Sequence, residues 1–145
     1  MAGRTYDRDG YEISTDRSRL EVEAIHGYLA ERSYWAQCRS LSAVRASIEH
    51  SLCFGIYDGE GQVGFARAVT DYATFAWLCD VFVLETHRGR GLGKWLIECI
   101  VAHPELQGMR LMLATRDAHE LYRRYGGFDD LEDPSRWMTT RRRRT

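Results

Sequence analysis

No apolar run in the sequence approaches the ~20 residues of a membrane-crossing helix. Met1–Gly10 is too polar for the apolar stretch of a secretory signal. Neither a membrane partner nor export is expected. C-x-x-C pairs are also missing. Cys38, Cys53, Cys79 and Cys99 stand far apart with no histidine clustered near them, and the last three lie inside apolar stretches. That pattern argues for reduced, buried thiols over disulfides or zinc, so a cytoplasmic protein without a metal is the expectation. Lysine is almost absent: Lys94 is the single one among twenty basic residues, and four arginines form the run Arg141–Arg144. Setting that run aside leaves sixteen basic against twenty-one acidic residues, about −5 for the body. A folded nucleic-acid binder needs a basic face, so nucleic acid is not an expected partner of the body. The arginine run reads as a solvated tail, with contact to a polyanion as its alternative role.

What is present suits a globular chain. With 145 residues, 44% hydrophobic and 28% charged, a single domain over 1–140 is expected, followed by the tail 141–145. Tyr11–Thr15 alternates like a strand, and Thr15 or Asp16 can cap a helix carrying Leu20, Ile25, Tyr28 and Leu29. A second helix is predicted over Leu41–Ser51. Strands over Leu52–Asp58 and Gln62–Asp71 follow, joined by the turn signal Asp58-Gly59-Glu60-Gly61. Thr74–Val83 is nearly continuous in apolar and aromatic residues, as in a strand buried on both faces. After a glycine-rich loop come a helix (Trp95–Ala102), a strand (Met109–Thr115), a helix (Asp117–Tyr125) and a last strand at Trp137–Thr140. The order is mixed α/β and does not fit a purely parallel doubly wound sheet.

The informative segment is Arg88-Gly89-Arg90-Gly91-Leu92-Gly93-Lys94, between a buried strand and a helix. Glycines let backbone N–H groups converge on an anion, and the helix N-terminus adds partial positive charge. Arg88, Arg90 and Lys94 add more, so a pyrophosphate-sized guest fits. A Walker loop would need Gly at Arg88 and Ser or Thr at Trp95. The dinucleotide fingerprint would need Gly at Lys94 or Leu96.

What remains, R-x-x-G-x-G from Arg88 through Gly91 to Gly93, resembles the signature of the GNAT superfamily of N-acetyltransferases. A second hallmark, an aromatic helix running into a Gly-Phe pair, is matched by Leu121-Tyr122-Arg123-Arg124-Tyr125-Gly126-Gly127-Phe128. The resemblance spans roughly Tyr11 to Thr140. It implies a GNAT fold, a mixed α/β (α+β) sheet of about six or seven strands flanked by about four helices. The sheet would be splayed at the strand before the pyrophosphate loop.

The resemblance also implies an enzyme that moves the acetyl group of acetyl-CoA to an amine by direct attack in a ternary complex. Val81, Phe82 and Val83 would then meet the pantetheine arm. Arg88 through Lys94 would hold the pyrophosphate, and Thr115 stands where many relatives place a cofactor-contacting asparagine. Tyr122, four residues before Gly126, would be the general acid, and dimers are common among relatives. The doubled glycine departs from the family pattern: counting from Gly127 selects Arg123, and Tyr125 is a further candidate. The same departure leaves open an acyl-CoA-binding module without turnover.

Asp80, an acid inside an apolar strand, is either the base that takes the amine proton or a structural acid paired with an arginine such as Arg67. The resemblance also makes Tyr34, Trp35, Asp71, Tyr72 and Trp77 candidates for the acceptor wall, where aromatics and acids suit a cationic amine, with core packing the alternative for the two tryptophans. Cys79 is expected to turn away from Asp80 by strand alternation, which disfavours an acetyl-cysteine route. The negative body leans toward a cationic acceptor through steering.

Overall fold

A computed structural model describes residues 3–140; the arginine run at 141–144 lies outside them. The first element is a hairpin, β1 (Thr5–Arg8) and β2 (Tyr11–Ser14). Asp9 and Gly10 turn it, both at positive φ (51° and 82°). Asp-Gly in that conformation is a strong two-residue hairpin signal. The expectation that regular structure begins at Tyr11 misses β1.

Asp16 caps only a short 3-10 turn, its Oδ1 accepting from Ser18 N at 3.0 Å, and the first α-helix starts later, α1 at Val22–Arg32. Helix α2 (Leu41–Glu49) is capped by Ser40, whose side chain accepts from Ala43 N. Strands β3 (Leu52–Tyr57), β4 (Gln62–Thr70) and β5 (Phe75–Val83) follow. Then come α3 (Leu92–Ala102), β6 (Arg110–Met112) and α4 (His119–Gly126).

The six strands form one sheet in sequence order, antiparallel throughout except for the parallel pair β5–β6. Two cores cover its faces. Ile13, Phe54, Ala66 and Leu78 pack with Leu96, Ile97 and Ile100 of α3 on one side. Phe65 and Phe82 pack with Ile25, Tyr28, Leu29 and Val44 of α1 and α2 on the other. This is the mixed α/β architecture expected, with six strands and four α-helices among the described residues.

The strand predicted at Trp137–Thr140 is a correction. Those residues join no strand, with Trp137 43% and Met138 97% exposed. β-propensity alone does not make a strand without a ladder to join; Trp137 instead lies under the Arg110 guanidinium, 5.7 Å from its ring centroid.

Two local features of β5 position the site. Its pairing with β6 runs only from Phe75 opposite Arg110 to Trp77 opposite Met112. Beyond Trp77 the two chains part, and the edge of β5 from Leu78 to Val83 has no partner strand on that side among the described residues. On its other side the register with β4 slips by one between Phe65 opposite Phe82 and Arg67 opposite Cys79. The extra residue is a β-bulge at Asp80, whose φ of +53° is unusual for a side chain other than glycine. Such strain costs on the order of 1 kcal/mol and persists only where surrounding contacts hold it.

Candidate active site

The glycine loop opens α3 without a side-chain cap. Gly91 is the N-cap at φ 78°, and its carbonyl accepts the helix's first bond, from Trp95 N at 3.1 Å. The N–H groups of Leu92, Gly93 and Lys94 are therefore left at the positive end of an eleven-residue helix. Gly89 shares the left-handed conformation at φ 80°. A Cβ built on Gly89, Gly91 or Gly93 would meet no protein atom within 4 Å. The bare surface there is not required by packing, and it leaves room for an anion to approach the backbone.

The basic side chains are held rather than loose. Arg88 donates to Val83 O (3.0 Å) and Tyr28 Oη (2.7 Å), Arg90 donates to Tyr11 Oη (2.9 Å), and Lys94 lies 5.3 Å from the Tyr125 ring centroid.

Where β5 and β6 part, a cavity of about 560 Å³ opens beside the bulge. It brings together Tyr34, Trp35, Trp77, Asp80, Val81, Thr115 and Tyr122 from residues widely spread in sequence. Phe82 instead faces α1, stacked on Tyr28 with centroids 4.0 Å apart. Asp71 and Tyr72 are elsewhere, in the β4–β5 turn. The Asp71 carboxylate accepts from Thr74 Oγ1 and from the N–H groups of Ala73 and Thr74, and these bonds hold it below the usual carboxylate range. Tyr72 is half exposed at φ 62°. Thr115 Oγ1 accepts from Ala118 N at 3.1 Å, tying the turn that precedes α4.

Tyr122 is buried, and burial pushes its phenol up to about 12. Its hydroxyl has no hydrogen-bond partner among the described residues, and the residue lines the cavity. The doubled glycine after it has two separate tasks. Gly127 ends α4 at φ 69°, and a Cβ on Gly126 would stand 2.7 Å from the Phe128 ring and 2.9 Å from Ile97. Neither displaces Tyr122 from the cavity. Tyr125 lies toward the loop, beside Lys94.

Asp80 is buried and fully engaged. Oδ2 accepts from Arg67 Nε (2.6 Å) and Arg39 Nη1 (2.7 Å), and Oδ1 accepts from Trp35 Nε1 (2.8 Å). Burial alone would push the carboxyl up. Arg67, and after it Arg39 and the indole, outweigh burial and hold it below the usual carboxylate range. The pairing with Arg67 expected of a structural acid is present, with Arg39 as a second partner.

Asp80→Asn is expected to lower stability by about 2–3 kcal/mol through lost charge-assisted bonds. The folded pKa lies below the unfolded carboxyl value of ~3.9. The charge contribution is thus complete above that value and lost as pH falls through the folded pKa. Melting curves should separate wild type and variant more at neutral pH than near pH ~3; equal separation at both would remove the ion pair as the cause.

The bulge also corrects the expectation for Cys79. Alternation would send Cys79 and Asp80 to opposite faces, but Cys79 stands opposite Arg67, and both it and Asp80 line the cavity. Burial pushes its thiol up to about 11, with Arg67 opposing, so it carries little thiolate at neutral pH. Arg39 and Arg116, which also line the cavity, were not singled out from the sequence. An isolated arginine in a polar segment carries no signal of where it folds.

Comparison with known proteins agrees with this geometry. The sequence pattern of the acetyltransferase (GNAT) domain matches residues 49–126, more than half of the chain. A Gibberella zeae protein assigned to the acetyltransferases is 31% identical over 90% of this chain and 85% of its own. A crystal structure from Xanthomonas campestris pv. campestris, assigned to the GNAT acetyltransferases, is 47% identical with a TM-score of 0.89, covering 93% of this chain and 95% of that one. The aminoglycoside N-acetyltransferase AAC(6')-Iy, solved with CoA, shares the fold at 21% identity and a TM-score of 0.64, over 97% of both chains. The chain belongs to the GNAT acetyltransferase family, whose reaction is acetyl transfer from acetyl-CoA.

Proposed function

We propose that this protein transfers the acetyl group of acetyl-CoA to an amine by direct attack, with both substrates bound together. The observation that carries the reading is the parting of β5 and β6 between the uncapped glycine loop and the cavity that holds Tyr122. The backbone of residues 88–94 would hold the pyrophosphate, and the free edge of β5 around Val81 and Val83 would hold the pantetheine arm. When bound, acetyl-CoA supplies a thioester whose C–S bond breaks as the amine forms its C–N bond. Tyr122 keeps its proton at working pH and would release it to the departing sulfur. Asp80 acts as an anchor for Arg39, Arg67 and Trp35 and takes no proton, so the amine arrives neutral or loses its proton to water. Cys79, protonated, forms no acetyl-enzyme. Free thiols throughout suit a reducing, cytoplasmic setting.

The test is paired. Acetyl-CoA, but not ATP or NAD, should raise the melting temperature, and thiol release should accelerate when amines are added. Binding without any acceleration would favour the module without turnover. The pH profile adds a check. With Tyr122 near 12, kcat should rise as the acceptor deprotonates and then hold level to at least pH ~10. A fall centred near pH ~8 would assign the acid role to a group of lower pKa.

A further inference from the structure

The charge arrangement at the bulge speaks to the identity of the acceptor, a question that rests on the function proposed above. Arg39, between α1 and α2, and Arg67, on β4, both donate to Oδ2 of Asp80. Arg67 Nη1 also donates to Ser51 Oγ at 3.2 Å. Among the described residues neither guanidinium has a second carboxylate within ion-pair distance. Their side chains are only 19% and 13% exposed, and that of Asp80 is 1% exposed. Two cations therefore share one anion in a largely desolvated recess, leaving a unit of positive charge without a partner. Such a charge is expensive to hold unless an anion joins it.

The remaining charges of the cavity wall do not supply that anion. Arg116 pairs with Asp117 at 3.8 Å, and its guanidinium lies 3.8 Å from the Tyr34 ring centroid, so those two charges balance. Each guanidinium carries five N–H donors, and the bonds named use one on Arg39 and two on Arg67, leaving donors for a bidentate guest. Trp35 and Trp77 supply aromatic wall for the rest of the molecule. The negative body of the chain, which leaned toward a cationic acceptor, acts from farther away and is screened over ~8 Å at physiological salt.

We propose that the acceptor is an amine that also bears an anionic group, a carboxylate or a phosphate, which Arg39 and Arg67 bind while Asp80 holds both guanidiniums in place. A polyamine would bring more positive charge to a recess that already has a surplus.

The binding test uses tryptophan fluorescence, since Trp35 and Trp77 line the cavity, with benzoate, phenyl phosphate and neutral benzamide as probes. At least one anion should bind at least ~10-fold tighter than benzamide. Arg39→Gln should erase that preference, and Arg39→Lys should restore part of it. Asp80 keeps Arg67 in Arg39→Gln, and a retained acetyl-CoA melting shift shows that the variant is folded.

A turnover test then separates the two chemistries. An α-amino acid is compared with its amide, and an aminohexose phosphate with the free aminohexose; the anionic member of one pair should show the higher kcat/KM. Equal binding of anionic and neutral probes, or an anion preference that survives Arg39→Gln, overturns the proposal. An equal loss of turnover by Arg39→Gln on anionic and neutral acceptors also overturns it, because the charge would then serve the chemistry. An absent acetyl-CoA shift in the unaltered protein would defeat the proposed function instead, and the probe titration would still report on the cavity.

Discussion

Gly91→Asp is expected to abolish acetyl-CoA binding while leaving the chain folded. Gly91 sits at φ 78°, a conformation aspartate tolerates better than most residues, and a Cβ there meets nothing within 4 Å. The left-handed backbone still strains any side chain, by roughly 1 kcal/mol, so the melting temperature without ligand should fall by a few degrees with the chain still folded. The new carboxylate, however, would occupy the point where the N–H groups of Leu92, Gly93 and Lys94 converge, taking their donors and repelling the pyrophosphate. A loss of affinity of at least ~100-fold, or ~2.7 kcal/mol, is expected. Read by thermal shift, acetyl-CoA at about 100 times its Kd should stabilise the unaltered protein by ~2.7 kcal/mol, a rise of several degrees, and the variant not at all. An undiminished shift in Gly91→Asp would remove the loop from the binding site.

Tyr122→Phe should separate binding from chemistry. It removes one hydroxyl that has no hydrogen-bond partner among the described residues and keeps the ring, which packs edge-on against Phe128 at 5.8 Å. Stability and the acetyl-CoA shift should persist. Turnover should fall by ~10²–10⁴, the range for a positioned proton donor, equivalent to ~2.7–5.5 kcal/mol of barrier. Stopped-flow or steady-state thiol release measures it. Full activity would transfer the proton to water or to Tyr125, which lies by the loop.

Much of the site was legible in the chain because it is local. Seven consecutive residues, Arg88 to Lys94, carry their own left-handed glycines and open their own helix, so their chemistry survives any error in the surrounding element boundaries. Tyr122 was legible for a related reason: it lies one helical turn before Gly126, the last residue of α4, within the segment that carries the family resemblance. The hairpin turn at Asp9-Gly10 is equally local, yet the expectation that regular structure begins at Tyr11 missed the β1 strand before it.

Asp80 shows where locality ends. An acid inside an apolar strand reads as buried and engaged, but as either base or ion-pair partner. Its partners lie far away along the chain, Arg39 and Trp35 more than forty residues before it and Arg67 thirteen before, and only the folded sheet brings them to one carboxylate. The bulge at Asp80 was likewise invisible, because a one-residue slip depends on how two strands pair and not on either strand alone. That slip turned Cys79 into the cavity, and Trp137–Thr140, strand-like by composition, found no ladder to join. The sequence by itself determined the class of fold and laid out the glycine loop and the tyrosine helix, all properties of contiguous residues. Tertiary structure decided the partners of Asp80, the surplus charge at the cavity and the wall around it, because charge compensation and strand register are set by contacts between distant segments.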